Sequence, residues 1–228
     1  MGGSHPLDYP VWSALSGRQA RFGVVDGGAR RYQPAVGVFA AVGARDADSL
    51  AALGRLVRAH GDVAILEAEE PPTVPGAMVV SAELGVQMIE VAPTAGPDPA
   101  FEIIPLGEKD AAEMLALATL TRPGPFFERT HQLGDFIGVR DGGALVAMAG
   151  ERMKPDGFTE VSGVCTHPDR RGRGYAAALM RIVASRIRER GETPFLHAYA
   201  SNTGAVSLYR TLGYELRRHV QMVRMTAA

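Results

Sequence analysis

A short basic segment stands between a predicted strand and a predicted helix in the second half of the chain. Arg170, Arg171 and Arg173 lie there beside Gly172 and Gly174. Guanidinium groups donate hydrogen bonds that suit phosphate oxygens, and glycines let the backbone approach a ligand closely. The start of a helix adds free N–H groups and the positive end of the helix dipole. The segment therefore predicts a binding site for a phosphate-bearing ligand.

Other interpretations of this segment differ in strength. Residues 172–177 fit the dinucleotide pattern G-x-G-x-x-A loosely, but the predicted strand at residues 194–200 ends without an Asp or Glu to hold a ribose hydroxyl. The chain contains no Gly-Lys-Ser or Gly-Lys-Thr, which excludes a P-loop. Two interpretations of the segment therefore remain: a site that binds a pyrophosphate group, and a solvated basic turn that binds no ligand.

The elements that must position this segment are predicted from hydrophobic periodicity. Residues 171–190 carry apolar side chains at helical spacing, and Gly191 ends the pattern. Asp141-Gly142 marks a hairpin turn. The remaining predicted elements of this half are strands at 101–106, 158–167, 194–200 and 214–225 and helices at 108–120 and 202–213. The order indicates a mixed α/β layer fold.

The first half of the chain predicts a smaller α/β unit. Strand patterns occur at residues 21–25, 36–42, 62–68 and 86–91, and residues 46–60 form a helical pattern capped by Asp46 or Asp48. The proline-rich residues 91–100 are the best linker candidate. We therefore predict an N-terminal α/β subdomain at residues 1–98 and a catalytic domain at 99–228.

Composition excludes several classes of function. The 228 residues are 46% hydrophobic and 21% charged, and the formal net charge is -1. That balance gives no reason to expect nucleic acid as a partner. The single cysteine, Cys165, forms no intrachain disulfide, and no apolar run is long enough for a membrane span. We expect a cytoplasmic protein without a membrane partner.

Two motifs together resemble the GNAT superfamily of acyl-CoA N-acetyltransferases. The first is Arg171-Gly172-Arg173-Gly174-Tyr175-Ala176, which matches Gln/Arg-x-x-Gly-x-Gly/Ala at the start of the family's central helix. The second comprises Asn202, Ala205, Leu208, Tyr209, Gly213 and Tyr214, at the spacing of the family's downstream motif. The resemblance covers about residues 101–226. The layout of the first half is similar to the glycine-N-acyltransferase-like branch, in which a degenerate related subdomain comes first.

This resemblance implies a mostly antiparallel central sheet flanked by helices, and acetyl-CoA as co-substrate without a metal. Residues 171–176 would wrap the CoA pyrophosphate with backbone N–H groups. Val164, Cys165 and Thr166 would pair with the pantetheine arm, and one N–H there would polarise the thioester carbonyl. In the family this strand splays from the next one. The acetyl group would pass to a primary amine by direct attack in a ternary complex.

The resemblance also implies roles for single side chains. Tyr209 matches the general acid that protonates the leaving thiolate, although a packed tyrosine with a satisfied hydroxyl stays open. Asn202 would cap its helix and contact the CoA arm. Glu160 would draw a proton from the substrate ammonium, often through water. An exposed strand glutamate without a catalytic role is the alternative interpretation of Glu160.

The other polar candidates are weaker. His167 is interpreted as a surface loop residue, and His197, on the following strand, is a candidate to face the acyl gap. Cys165 lacks a motif that would supply a base, so a small buried strand residue is the better interpretation. The segment at residues 121–131 occupies the family's acceptor region, with candidate residues Arg122, Phe126, Phe127, Arg129 and His131.

Two further functions stay open beside the enzyme. One is a module that binds or senses acyl-CoA without turnover, and the other is a nicotinamide-dependent oxidoreductase, which the missing acidic residue disfavours. The acceptor, whether a small molecule or a peptide amine, is not identified by the sequence. The acyl chain length and a homodimer are also left open.

Overall fold

The computed structural model describes residues 5–228. The first four residues of the predicted N-terminal subdomain lie outside the described part. The helices are α1 Pro10–Ser16, α2 Ala47–His60, α3 Ala111–Thr121, α4 Tyr175–Glu189 and α5 Thr203–Thr211. The strands are β1 Gly23–Asp26, β2 Ala29–Tyr32, β3 Ala40–Val42, β4 Val63–Glu67, β5 Ala77–Glu90, β6 Ile104–Leu106, β7 Phe136–Asp141, β8 Ala144–Glu151, β9 Phe158–Thr166, β10 Thr193–Tyr199 and β11 Tyr214–Ala227.

A large mixed sheet forms the centre of the molecule. Its eight strands follow the order β4-β11-β5-β10-β9-β8-β7-β6. The neighbouring strands pair antiparallel, apart from the β9–β10 pair, which is parallel. Helix α4 covers the sheet with Leu179, Val183 and Ile187, which belong to one buried cluster with Ala147 and Ala149 of β8. The predicted fold class, a mostly antiparallel sheet flanked by helices, is confirmed.

The large sheet contains strands from both predicted halves of the chain. Strand β5 comes from the first half, yet it lies between β10 and β11. It pairs with β10 from Gly85 to Ile89 and with β11 along its whole length. Residues 93–100 form an exposed connection without regular structure, as a linker would. A domain boundary between residues 98 and 99 stays a prediction. Such a boundary would divide one continuous sheet, because β5 of the first half lies between β10 and β11 and pairs with both.

The first half also builds a smaller sheet of its own. Strands β1, β2 and β3 form an antiparallel sheet against which α2 packs. Asp46 caps α2 by accepting a hydrogen bond from the backbone N–H of Ser49 at 2.8 Å, which settles the two predicted caps in favour of Asp46. The N-terminal segment around Leu7 packs against Phe39, Phe195 and their neighbours. The small unit is thus joined to the large sheet by a shared apolar cluster.

Helix α4 begins later than its periodicity predicts. The pattern starts at Arg171, but the helix starts at Tyr175. Gly172 and Gly174 have φ values of 77° and 79°, a left-handed conformation that glycine adopts at little cost. Gly174 is the N-cap, so the residues before it form a loop above the first helical turn. Gly191, with φ 76°, follows the C-terminal end as predicted.

Within residues 5–228, no helix has both the length and the apolar character needed to cross a membrane.

Candidate active site

The parallel strands β9 and β10 separate soon after they meet. Their pairing runs only from Phe158 to Glu160 on β9 and from Thr193 to Phe195 on β10. Beyond those residues each strand continues without the other, which leaves a wedge-shaped gap in the sheet. Gly163 marks an irregularity in β9, with φ 63° and a register shift against β8. The splay that the resemblance implies is therefore present.

An open cleft, here called the loop cleft, lies beside the gap and has a volume of about 640 Å³. It runs from the glycine-arginine loop along the end of β9 to helix α5. Its lining includes every predicted cofactor-binding residue, namely residues 164–166, residues 171–176 and Asn202. Arg170, predicted as a phosphate donor, and Tyr209 also line it, and the lining is completed by residues not predicted as cofactor contacts, namely residues 121–123, Ala177, Gly204, Ala205 and Leu208. The fold thus brings all ten predicted cofactor-binding residues to one surface.

The glycine-arginine loop leaves backbone donors open to this cleft. A Cβ added at Gly172 or Gly174 would meet no atom of the described residues within 4 Å, so a ligand has room to approach the loop at these two positions. The first-turn N–H groups of α4 have no acceptor within the helix. Arg170 is held by Asp141 at the hairpin turn, with 2.6 Å between Nε and Oδ2, and Arg173 approaches the same oxygen at 3.6 Å. The arrangement can bind an anion through N–H groups and the helix dipole, with guanidinium groups around them.

Cys165 is a buried thiol at the edge of the loop cleft. It packs in one cluster with Met114, Leu117 and Phe136. Burial raises the pKa of Cys165 to about 11, so the side chain stays a neutral thiol at physiological pH. This agrees with a packing role for the side chain, although residues 164–166 also line the cleft.

Tyr209 lies where the loop cleft meets the gap, and it lines both cavities. Burial raises the pKa of Tyr209 above its ordinary value, so the phenol keeps its proton at neutral pH. Asn202 also borders both cavities and caps α5 by accepting from the N–H of Ala205 at 3.2 Å. A protonated phenol at this junction can donate to an atom in either cavity.

The gap itself holds a second cavity, here called the gap cavity, with a volume of about 60 Å³. Its lining comes from residues 122–125, Arg152, residues 161–164, residues 197–199, Asn202, Tyr209 and Met222. The cavity therefore connects the two splayed strands with the loop after α3 and with the end of β8. Arg152, Ser162 and Tyr199 are members that sequence reasoning missed. Only their shared position in the folded sheet brings them together, because no local motif connects them.

Glu160 occupies a different place from the one predicted for a general base. Its side chain is 0% exposed and pairs with the Arg152 guanidinium, with Nε–Oε2 and Nη2–Oε1 distances of 2.8 and 2.7 Å. It also contacts His197 Nδ1 at 2.8 Å. Burial opposes its ionisation, but the charge of Arg152 and the hydrogen bonds outweigh burial and hold the pKa of Glu160 well below its usual range.

This geometry disfavours Glu160 as a base for substrate, since the carboxylate reaches neither cavity and is occupied by two partners. It equally excludes the alternative of an exposed strand glutamate. The sequence placed Glu160 on the correct strand but could not show that its side chain is fully buried in a pair with Arg152.

His197 has both ring nitrogens engaged. Gln87 is oriented by Arg217, which donates to its Oε1 at 2.8 Å, and its amide group donates to the carbonyl of Leu7 at 2.9 Å. The same amide lies 3.1 Å from His197 Nε2, which therefore accepts, so Nδ1 carries the proton that faces Glu160. The ring is thereby assigned as neutral, and it is 1% exposed. His197 borders the gap cavity but lacks a nitrogen free to act on a substrate.

The predicted acceptor region at residues 121–131 is only partly at the site. Arg122 lines both cavities. The other candidates are engaged elsewhere: Phe126 packs edge-on against Phe136, Phe127 joins the cluster around Leu7, Arg129 donates to Gln132, and His131 pairs with Glu108. His167 is half-exposed and accepts from the N–H of Asp169, as a loop residue would.

Comparisons with known proteins agree with this architecture. A family model described as FR47-like protein matches residues 136–223. A solved structure from Novosphingobium aromaticivorans, described as an acetyltransferase of the GNAT family, is 43% identical, and the match covers 99% of this chain and 100% of that chain with a TM-score of 0.89. A search of curated proteins finds no match.

More distant structures share the fold. A GCN5-related N-acetyltransferase from Kribbella flavida is 19% identical over 97% of this chain and 96% of its own, with a TM-score of 0.67. A GCN5-related N-acetyltransferase-like protein from Streptococcus suis is 17% identical over 98% of this chain and 94% of its own, with a TM-score of 0.59. At these identities the similarity supports the common fold alone.

Proposed function

The chain belongs to the GNAT family of acetyltransferases, and from that premise we propose that it transfers the acetyl group of acetyl-CoA to a primary amine by direct attack in a ternary complex. Acyl transfer is the general activity of the family. The choice of acetyl-CoA, the amine acceptor and the direct mechanism are the parts proposed. The observation that supports this transfer is the position of Tyr209, which borders both the loop cleft and the gap cavity.

The loop cleft suits the acyl-CoA. The pyrophosphate of the acyl-CoA would accept hydrogen bonds from the N–H groups of residues 172–176, with Arg171 and Arg173 beside it. The pantetheine arm would follow the backbone of residues 164–166 toward the gap. Gly163 and Val164 have no partner in the β8 register, which leaves backbone groups at this bend for the thioester carbonyl.

The chemical step would take place where the two cavities meet. The neutral amine in the gap cavity attacks the thioester carbonyl carbon, a C–N bond forms, and the C–S bond breaks. Tyr209 supplies a proton to the departing thiolate, since burial keeps its phenol protonated. The amine nitrogen loses its proton to solvent, and solvent returns a proton to the Tyr209 phenolate, so that the phenol is restored for the next turnover. The products are the acetamide and CoA.

Glu160 enters this proposal as a positioning residue. Its carboxylate fixes the Arg152 guanidinium and the Nδ1–H of His197 beneath the gap, as the measured distances indicate. A role as a direct proton acceptor is not carried forward, because no cavity reaches it. A cytoplasmic location and a homodimer stay predictions.

An assay of CoA thiol release against a panel of primary amines tests the proposal. Amine-dependent release from acetyl-CoA, with the acetylated amine identified by mass spectrometry, is the expected result. Binding of acetyl-CoA without release for any amine would contradict the enzyme and favour the acyl-CoA-sensing module. Amine-independent release would indicate hydrolysis and contradict direct transfer.

A further inference from the structure

The gap cavity has an unusual balance of charge for a pocket that must receive an amine. Its lining contains Arg122 and Arg152, but no Asp or Glu within the described chain. Tyr199 contributes a phenol whose pKa is raised, first by burial and then by the charge of Glu83, so it is a neutral donor. His197 is neutral because its Nε2 accepts from Gln87. Arg122 and Arg152 are therefore the charged residues of the lining, and an ammonium entering this cavity would meet no carboxylate among the lining residues.

The Arg152 guanidinium has one nitrogen without a hydrogen-bond partner among the described residues. Its Nε and Nη2 donate to Glu160, and its guanidinium carbon lies 4.8 Å from the centre of the Phe39 ring. These contacts hold the group in one orientation with little freedom. Nη1 makes no hydrogen bond to the described residues, so it is the donor left for a ligand. Glu160 offsets the charge of Arg152 but leaves this donor in place.

Arg122 contributes the second positive charge of the lining. It ends helix α3 in the left-handed conformation, with φ 51°, and is the non-glycine residue with positive φ among residues 5–228. A residue other than Gly, Asn or Asp rarely adopts that conformation, because its Cβ crowds the backbone. No carboxylate of the described chain pairs with its guanidinium, and the residue is exposed and borders both cavities. Glycine is the residue usually found at such a helix end, so the arginine brings a side chain to this position at the expense of backbone strain.

We infer that the acceptor is an amine that carries a carboxylate or another anionic group a few bonds from its nitrogen, and that Arg122 and Arg152 Nη1 hold this group. The inference deepens the proposed function and rests on it. An anion held here would place the nearby nitrogen in the gap, beside Tyr209. The same positive charge would favour the neutral form of the amine, the form that attacks. Polyamines and other acceptors with additional positive charge would be repelled.

Matched amine pairs test this specificity. Thiol release from acetyl-CoA would be measured with amino acids and with their amides, for example L-alanine and L-alaninamide, and with γ-aminobutyrate and n-butylamine. The carboxylate-bearing member of each pair should show a kcat/KM at least about tenfold higher, as expected for a charge-assisted hydrogen bond. An equal or higher kcat/KM for the amides and alkylamines overturns the inference, while the proposed function stands. Absence of release with every amine removes the proposed function, and the inference with it.

A charge reversal separates the role of Arg122 from general damage. Arg122→Glu should raise KM for the preferred anionic amine at least about tenfold and reverse the preference within each pair, because the new carboxylate attracts cationic amines. An unchanged circular-dichroism spectrum and an unchanged Tm would show that the variant is folded.

Arg129→Glu is the control, since Arg129 lies in the same loop and donates to Gln132 but lines neither cavity. It should keep the wild-type preference. Equal changes in both variants would mean a non-specific effect of surface charge and would contradict the assignment to Arg122.

Discussion

The loop cleft and the gap cavity share Tyr209 and Asn202, but the chain builds them in opposite ways. The loop cleft is formed largely by residues 164–166 and 170–177, which follow one another in sequence. It offers backbone N–H groups at a helix start, so its chemistry depends on backbone conformation. The gap cavity collects side chains from several separate elements, and Arg152 is held in place by Glu160 beneath them. A local motif can therefore identify the first site, whereas only the folded sheet identifies the second.

The largest effect is expected from a change in the loop that leaves the gap intact. Gly174→Glu should abolish acetyl-CoA binding, because it puts a negative side chain where the pyrophosphate would lie and strains a residue with φ 79°. Isothermal titration calorimetry measures the loss. Gly191→Glu is the matched control, since Gly191 has φ 76° and open space at the other end of the same helix. Similar affinity in both variants would contradict the assignment of the loop cleft.

The next effect concerns stability beneath the gap. Glu160→Gln should lower the free energy of unfolding by about 3–5 kcal/mol, because it leaves the Arg152 guanidinium buried without its counter-charge. Urea denaturation gives the value. Glu108→Gln, which removes an exposed carboxylate beside His131, should change the denaturation midpoint far less. A small loss for Glu160→Gln would mean that the pair does not organise the gap.

The same pair predicts a pH dependence of stability. The folded protein holds the pKa of Glu160 well below the value of about 4.3 expected for the unfolded chain. Its stabilisation is therefore fully present above the unfolded pKa and is lost as the pH falls toward the folded pKa. Between pH 5 and pH 3, as an order-of-magnitude window, the wild type should lose stability more steeply than Glu160→Gln. Parallel slopes for the two proteins would contradict the ionised pair.

A smaller effect, on turnover, is expected where the loop cleft and the gap cavity meet. Tyr209→Phe should lower kcat by roughly a hundredfold while acetyl-CoA binding is unchanged, because only the transferable proton is lost. Tyr214→Phe is the control: its ring lies 6.4 Å from that of Tyr209, its buried hydroxyl has no partner among the described residues, and it lines neither cavity. Equal kcat for wild type and Tyr209→Phe would remove Tyr209 from the role of acid.

The smallest effect is expected at the cysteine. Cys165→Ala should leave kcat nearly unchanged and cost about 1 kcal/mol of stability through lost packing. Iodoacetamide should react with the native wild type only slowly at pH 8, since the thiol is buried and its pKa is about 11. Rapid alkylation that blocks turnover would contradict a purely structural side chain.

Local physics explains how much the sequence could predict. The α4 periodicity, the glycine punctuation around it and the Asn202 cap are short-range features, and the structure contains all three. Strand β5 was predicted only from residue 86, yet it begins at Ala77, because its first half is stabilised by pairing with β11 rather than by its own pattern. Its insertion between β10 and β11 likewise has no local signal. Arg152 also has no local signal, because its role depends on Glu160, which lies eight residues away across a hairpin connection.

A thermal-shift titration of the purified wild-type chain with acetyl-CoA, with NADH as the control, tests the central claim most directly. The loop cleft should bind acetyl-CoA only in the folded state, so acetyl-CoA should raise Tm progressively, with a stabilisation of about 2.7 kcal/mol at a hundredfold excess over Kd. NADH should leave Tm unchanged. A folded sample whose Tm does not respond to acetyl-CoA, or responds equally to NADH, would contradict the assignment of the loop cleft to acyl-CoA.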